Sequence, residues 1–482
     1  MLEKVQADRL AKLEKIRELG VDPYGESYDC AGEIAGILSS YEDDVEGQSA
    51  DAAGRLVLIR DMGKLIFAHI RDQSGQMQIG LRKNALDETS WKLVKLLDLG
   101  DIVAVAGPLQ RTRTGEITIW AERLTLLCKS LNPMPEKFHG LQDVETRYRQ
   151  RYLDLMTNPD TAANFVKRAA IVEQFRSVLK DRSFMEVETP MMQSLYGGAA
   201  AKPFTTHHNA LDRDLYLRIS PELYLKRLLV GGFEKVFEIN RNFRNEGLST
   251  KHNPEFTMLE LYQSYADYNV MMELTEKLMS SAAEKVCGSL RLPYGDTEID
   301  YTPGWRKVSY AELLSEHAGV DMFDSKAVRA KARQLDIEES NKDDAIVVDD
   351  IFETLVEPHL VQPTFVIDYP ADLCPLTRRK PDNPAIAERF ELFIANMEIA
   401  NAYTELNDPA VQEANFRRQL RGEASDETMR VLDEDFITAL RHGMPPAGGL
   451  GLGVDRAVML LTNTHSIRDV VLFPMLKAET KQ

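Results

Sequence analysis

Residues 233–265 read FEKVFEINRNFRNEGLSTKHNPEFTMLELYQSY and gather Arg244, Glu246, His252, Asn253, Phe256 and Glu260 into one short stretch. These side chains suit an anionic, planar ligand. A guanidinium forks onto phosphate, an aromatic ring stacks on a base, and a carboxylate takes an ammonium or a metal. The same residues would also serve as a solvated loop over a core phenylalanine, so the elements around them decide. Residues 235–239 alternate as a half-buried strand does, and residues 256–262 alternate again. The polar segment 245–253 between them is longer than the about two to five residues of a structural turn. The spacing predicts two paired strands holding a working loop.

A second group of polar residues lies near the C-terminus. AERFELFIANMEIANAYTELNDP reads as a pair of strands carrying Glu391, Glu398, Asn401, Tyr403 and Glu405, behind a buried strand PTFVIDYP. GGLGLGVDRAVMLL is a glycine-rich strand entering a helix that carries Arg456. It is not a dinucleotide fingerprint, because Val454 or Arg456 stands where the third glycine of GxGxxG belongs, and no GxxxxGK[ST] exists. Upstream, GGAAAKPF around Gly198 has small residues where backbone must approach a ligand closely. Ser220-Pro221-Glu222 ends a strand and opens a helix. Ile171, Phe175, Val178 and Leu179 put an apolar stripe on another helix, and FMEVETP then runs as a strand into Pro190.

The chain has 482 residues, enough for two or three domains, with 44% hydrophobic and 28% charged residues, an ordinary globular composition. No apolar run approaches the ~18 residues that span a bilayer. The opening MLEKVQADRLAKLEKIRELG has no apolar signal core, and Leu2, Val5, Leu13 and Ile16 fit an amphipathic helix that ends at Gly20. Cys30, Cys128, Cys287 and Cys374 form no CxxC pair, which argues against a zinc site and for a reducing, cytoplasmic compartment. The net charge of −18 argues against bulk nucleic-acid binding, although residues 51–129 hold twelve Lys and Arg against nine Asp and Glu.

After an acidic connector up to residue 53, strands are expected at 55–60, 64–72, 76–82, 102–107 and 117–127, with a helical TSWKLVKLLD between the third and fourth. Five strands with a helix there suggest a Greek-key barrel of the OB type, over residues 54–130. Such barrels stack single-stranded bases on exposed aromatics. Phe67 lies on the second strand, Gln78 on the third, and Glu116 opens the fifth.

FRNE followed by KHNPEFTMLELYQSY resembles motif 2 of the class II aminoacyl-tRNA synthetases, in the form seen in the lysyl-tRNA synthetase family (subclass IIb). GLGLGVDR resembles motif 3, the helix and strand ending at Pro190 resemble motif 1, and KFHGLQD with RYRQRYLDL resembles the family's hinge. The resemblance covers nearly the whole chain. It implies an N-terminal all-β OB-type barrel that reads the anticodon through Phe67, Gln78 and Glu116. A hinge follows at 131–164, then a C-terminal α+β class II catalytic domain at 165–482, an antiparallel sheet flanked by helices. A subdomain is expected to be inserted around 275–345. Arg147, Arg149 and Arg151 near the hinge suit either phosphate contacts or a salt-bridged face.

The activity implied is ATP-dependent activation of L-lysine and transfer to the 3′ end of tRNA(Lys), in a homodimer formed through the motif 1 region. Arg244 and Arg456 would be catalytic. Arg244, Glu246, His252, Asn253, Phe256, Glu391 and Arg456 would bind ATP, and Glu391 with Glu398 would hold Mg²⁺. Gly198, Glu222, Glu260, Tyr262, Asn401, Tyr403 and Glu405 would bind lysine, with Glu222 and Glu405 meeting its side-chain ammonium. An aspartyl- or asparaginyl-type synthetase is the first alternative; Glu222 speaks against it, standing where those relatives carry an uncharged residue. A lysine-activating paralogue that modifies a protein would lack the barrel. A catalytically inactive RNA-binding relative would be expected to lose Arg244 and Arg456, and both are present.

Overall fold

The computed structural model describes residues 2–29, 32–135, 141, 143–199, 201–340, 342–421 and 432–478. Most of the expected KFHGLQD hinge, and Ala200 in the small-residue run, lie outside the described residues. The chain divides into two compact units, Met1–Leu141 and Gln142–Gln482. No helix among the described residues is long and apolar enough to cross a membrane.

In the first unit, helix Leu2–Glu18 buries Leu13 and Ile16, and Gly20 ends it in the left-handed region at φ 77°. The expected connector holds a short helix, Ile34–Ser40, and its last residues already belong to β1 (Ser49–Asp61). β1 is longer than expected because it serves two partners. Its first half pairs with β4 (Ile102–Arg111) and its second half with β2 (Leu65–Arg71), with an irregularity between Leu56 and Leu58. β3 (Gln76–Arg82) follows β2, and helix Glu88–Val94 is capped by Asp87.

The expected fifth strand is two strands, β5 (Ile117–Trp120) and β6 (Arg123–Cys128). β5 pairs with β3 and the end of β4, whereas β6 pairs with the start of β4, so the chain must turn at Ala121 and Glu122. The order β1-β2-β3-β5-β4-β6, with β1 returning to β4, closes the barrel. Ile66, Ala68, Ile70, Met77, Ile79, Leu81 and Ile119 fill its core. That leaves Phe67, His69, Gln78, Gly80, Thr118 and Trp120 on the opposite face.

The second unit is built on an eight-stranded, mainly antiparallel sheet. Its strands are β7 (Met185–Glu186), β11 (Lys235–Phe243), β12 (Glu255–Ser264), β15 (Arg306–Ser309), β16 (Thr364–Pro370), β17 (Ile386–Ile394), β18 (Met397–Thr404) and β19 (Ala447–Gly453). They lie in the order β15-β16-β17-β18-β19-β12-β11-β7. β8 (Met192–Gln193), β9 (Thr205–His208) and β10 (Arg213–Leu217) form a small separate sheet, and β13 (Arg291–Tyr294) pairs with β14 (Thr297–Asp300). Leu259, Leu261, Phe390, Leu392, Ala400, Ala402, Leu450 and Leu452 pack on one face of the large sheet. They meet Ile171, Phe175, Leu274, Leu278 and Val458 from helices Pro159–Asp181, Tyr268–Cys287 and Val454–Leu461. Period-two alternation then sends the intervening residues to the other face.

Two expectations change here, and one open alternative is decided. FMEVETP supplies only the two paired residues of β7. The stretch expected as an insertion around 275–345 is joined to the sheet: helix Tyr268–Cys287 lies in the main core, and β15 is the sheet's edge strand. The hinge arginines are internal ties. Arg147 and Arg151 both pair with Asp154, Arg151 also donates to the carbonyls of Arg468 and Leu472, and Arg149 pairs with Glu145. The three consecutive helices Val144–Arg149, Arg151–Thr157 and Pro159–Asp181 therefore belong to the second unit.

Candidate active site

The cleft face of the large sheet can be read off the strand register. Glu391 lies opposite Asn401 and Arg389 opposite Tyr403; Asn401 then meets Gly451 and Tyr403 meets Gly449. Across β19, Gly449 faces Tyr262 and Gly451 faces Glu260. The GLGLG run thus puts leucines into the core and glycines into the floor of the cleft. The floor cannot take a side chain at Gly449. A Cβ there would lie 2.0 Å from Glu405 Oε1 and 2.5 Å from the Tyr262 ring.

One end of the cleft is acidic. Glu222, Glu260 and Glu405 are all buried. Ser220 Oγ, which lies 3.1 Å from Glu260 Oε1, also accepts from the Glu222 backbone N–H. Gly198, at φ 86°, lies close against Ser220 and Glu222 and completes the wall. Glu222 and Glu405 do not face an open space alone, as the sequence suggested. Between them stands Lys226, fully buried, with Nζ 2.6 Å from Glu222 Oε1 and in contact with Glu405 Oε2. Burial alone pulls an ammonium's pKa down, but the two carboxylates more than offset this and hold Lys226 above its ordinary value. Glu405 Oε1, buried over Gly449, has no hydrogen-bond partner among the described residues. Burial, then the neighbouring Glu222, pushes Glu260 up to about 8.

The other end is cationic. The Arg244 guanidinium lies over the Phe256 ring, 5.1 Å from its centre, and its buried Nε has no hydrogen-bond partner among the described residues. Arg456 Nη2 is 2.9 Å from His252 Nε2, and its Nη1 donates to the Glu398 carbonyl at 2.7 Å. Burial, and next the Arg456 charge, lower the His252 pKa, so a neutral ring accepts from Arg456. Glu246 is exposed on the loop. Asn253 is buried and donates to the Glu255 carbonyl at 2.6 Å, which shapes the loop rather than presenting an amide.

Between the two ends lie Glu391 and Glu398. Tyr369 donates to Glu391 at 2.8 Å, Arg389 pairs with Glu391, and Glu398 lies 3.5 Å from Arg456. Burial drives Glu391 up to about 7, and Glu398 adds to the effect although Arg389 opposes it. A buried carboxylate raised in part by a neighbouring carboxylate fits a shared divalent cation. Among the described residues no cluster of three or more His, Cys, Asp or Glu could hold a metal by itself. A cation here would need oxygen atoms from its ligand and from water.

Lys226 and Arg389 are the two members the sequence reasoning missed. Arg389 donates to Asn401 Oδ1 at 3.2 Å and packs on the Tyr369 ring, tying Glu391 to Asn401 on the neighbouring strand. A signal for Lys226 did exist: it lies one helical turn after Glu222, within the buried stripe Glu222, Leu225, Lys226 and Leu229 of helix Glu222–Val230.

On the barrel, the three expected residues share one face. Phe67 is half-buried and meets Trp120 edge-on at 5.6 Å, while Arg82 lies 3.4 Å over the Trp120 ring. Gly80 leaves room for that ring, since a Cβ would lie 2.5 Å from it. Gln78 donates to Glu116 at 2.6 Å, His69 approaches the same carboxylate at 2.5 Å, and Thr118 donates to Gln78. Polar edges thus stand beside aromatic surfaces, an arrangement suited to unstacked bases.

Residues 143–477 match the family described as tRNA synthetases class II (D, K and N), and residues 52–127 match the OB-fold nucleic acid binding domain. The chain is 52% identical over 484 residues to the lysine--tRNA ligase of Pelotomaculum thermopropionicum, covering 99% of this chain and 95% of the relative. It is 52% identical to that of Carboxydothermus hydrogenoformans, covering 97% of both chains. With that of Moorella thermoacetica it shares 50% identity over 98% of each.

Proposed function

The chain belongs to the class II tRNA synthetases (D, K and N), and from that premise we infer that it activates L-lysine with ATP and transfers it to tRNA(Lys). It is an aminoacyl-tRNA synthetase, a ligase, with an OB-fold domain ahead of its catalytic domain. The observation that carries lysine is the cleft itself: buried carboxylates at one end, a guanidinium with a free buried donor at the other, and a glycine floor between. An acidic substrate side chain would meet Glu222 and Glu405 as like charges. ATP–pyrophosphate exchange with each standard amino acid tests the reading, and only L-lysine is expected to support it.

The reaction needs no nucleophile from the protein. The substrate carboxylate attacks the α-phosphate of ATP, pyrophosphate leaves, and the terminal ribose hydroxyl of the tRNA then takes the lysyl group. Positioning and charge neutralisation are what the protein supplies. In this reading Arg244 holds the substrate carboxylate and α-phosphate, and Phe256 and His252 bound the adenine site with Arg456. Glu222, Glu260, Tyr262, Asn401, Tyr403 and Glu405 enclose the lysine. Glu391 and Glu398 would hold Mg²⁺, which neutralises phosphate charge when bound. Exposed Val166, Met185, Met191, Met192 and Leu195 in the motif 1 region support a homodimer, since exposed large apolar side chains favour burial against a second copy. A cytoplasmic setting fits the reaction's need for ATP and tRNA.

Lysine binding should depend on pH through Glu260. With its pKa near 8 in the empty pocket, Glu260 keeps a proton below that pH and must lose it to hold an ammonium. The KM for lysine should therefore fall as pH rises from 6 to 8, by up to about tenfold per unit for one coupled proton. The KM for ATP should not follow. Exchange kinetics across that range check the slope, and Glu260→Gln should reduce it, leaving the share of Glu405, which burial also raises although Lys226 opposes it.

The barrel face gives a separate expectation. Phe67 is half-buried and outside the barrel's core cluster, so Phe67→Ala should remove a stacking surface worth ~1–3 kcal/mol per base. Charging of tRNA(Lys) should weaken by about one to two decades while ATP–pyrophosphate exchange stays near normal. A core role would instead cost ~3–5 kcal/mol of stability, visible as a large fall in the barrel's melting temperature.

A further inference from the structure

Lys226 sits where a lysine has no ordinary reason to be. Its side chain is fully buried on helix Glu222–Val230, beside the apolar side chains of Leu223, Leu225 and Leu229. A buried ammonium persists only when it is paired, and both of its partners belong to the pocket assigned above to the substrate's side chain. The contacts divide the carboxylate oxygens. Lys226 pairs with Oε1 of Glu222 and Oε2 of Glu405, while Oε1 of Glu405, above the Gly449 floor, has neither an ion pair nor a hydrogen bond among the described residues. Once Glu222, Glu260 and Glu405 are ionised, three carboxylates less one ammonium leave a net −2. Free L-lysine brings two ammonium groups.

We propose that Lys226 is a specificity-determining positioning residue: by occupying one oxygen on each of Glu222 and Glu405, it denies a guanidinium the paired oxygens it needs and leaves single acceptors that suit an ammonium. The chemistry of the two cations separates them. A guanidinium gains most from two parallel N–H bonds onto both oxygens of one carboxylate, whereas an ammonium sends diverging N–H bonds to oxygens of different groups. Lys226 therefore acts against L-arginine as much as for L-lysine, and it keeps the two glutamates from repelling each other before substrate arrives. The inference rests on the assignment of this pocket to the lysine side chain.

The test is ATP–pyrophosphate exchange by the full-length protein with L-lysine and with L-arginine, for the parent, Lys226→Met and Glu405→Gln. Lys226→Met keeps the volume and removes the charge. Its KM for lysine should rise ~10–100-fold, with kcat within about threefold and the KM for ATP unchanged, and the preference in kcat/KM for lysine over arginine should fall at least ~10-fold. Lys226→Gln, which keeps a neutral donor, is read in the same way and covers a loss of folded protein in the first variant. A preference within about twofold of the parent, or a parallel fall of kcat, both substrate affinities and melting temperature, overturns the proposal. Glu405→Gln separates the two layers of the argument. If it too leaves the lysine KM unchanged, the pocket assignment fails. If it raises that KM while Lys226→Met changes nothing, only the role of Lys226 fails.

Discussion

Arg244→Ala should lower ATP–pyrophosphate exchange by at least ~10²–10³-fold, the usual loss when one preorganised donor to a developing charge is removed. The residue is held for that task. Its backbone N–H bonds the Pro254 carbonyl at 2.9 Å, closing the loop between β11 and β12, and its guanidinium rests on Phe256. Buried Nε has no hydrogen-bond partner among the described residues. A group with that desolvated donor is waiting for an anion, because leaving it unmade in every state would be a standing cost. Alanine removes the side chain without disturbing the backbone bond, so the melting temperature should stay near the parent's. Exchange within about threefold of the parent would remove Arg244 from the reacting phosphate.

Glu405→Gln should separate the two substrates. It preserves shape and removes the one carboxylate that touches both Lys226 and the glycine floor. A site built around a buried polar group can reject a mismatched partner by roughly 10⁴, so the KM for lysine should rise by about 10²–10⁴ while that for ATP changes little. Glu222→Gln should act in the same direction. Glutamine still accepts a hydrogen bond from Lys226, which keeps that ammonium from losing every contact at this position. Equal weakening of lysine and ATP would mean that the two carboxylates only support the fold.

What was legible in the sequence was what local periodicity records. The alternation in VFEIN and FTMLELY gives β11 and β12, and the same period places Phe256, Glu260 and Tyr262 on one face. The same period put Phe67 and Gln78 on the outer face of the barrel, whereas only strand pairing brings Glu116 to Gln78. Contacts set by tertiary structure were not legible. Lys226 meets Glu405 from a distant part of the chain, and nothing near either residue announces the other. β1 was read short because its first half, SADAAG, is small and weakly patterned, and only the pairing with β4 makes it a strand. The hinge arginines left two alternatives open in sequence, because charge alone does not say what meets it; in the fold Asp154, three residues after Arg151, takes two of them. Asn253 is a similar case: a polar residue beside a ligand loop whose donor is used on the loop itself.

The glycine floor of β19 bears on when entropy is lost. Gly451 and Gly453, past the point where Tyr262 and Glu405 cover Gly449, present only backbone on the cleft face, so a ligand lying on them has no rotamers to freeze. A floor of longer side chains would lose ~0.5–1.5 kcal/mol for each one immobilised on binding. Glycine reverses the timing, since it gives up more backbone freedom than any other residue when the chain folds. Here the neighbouring Leu450 and Leu452, buried in the core, hold the strand and offset that loss. The disorder is removed once, during folding, and does not recur with each catalytic cycle.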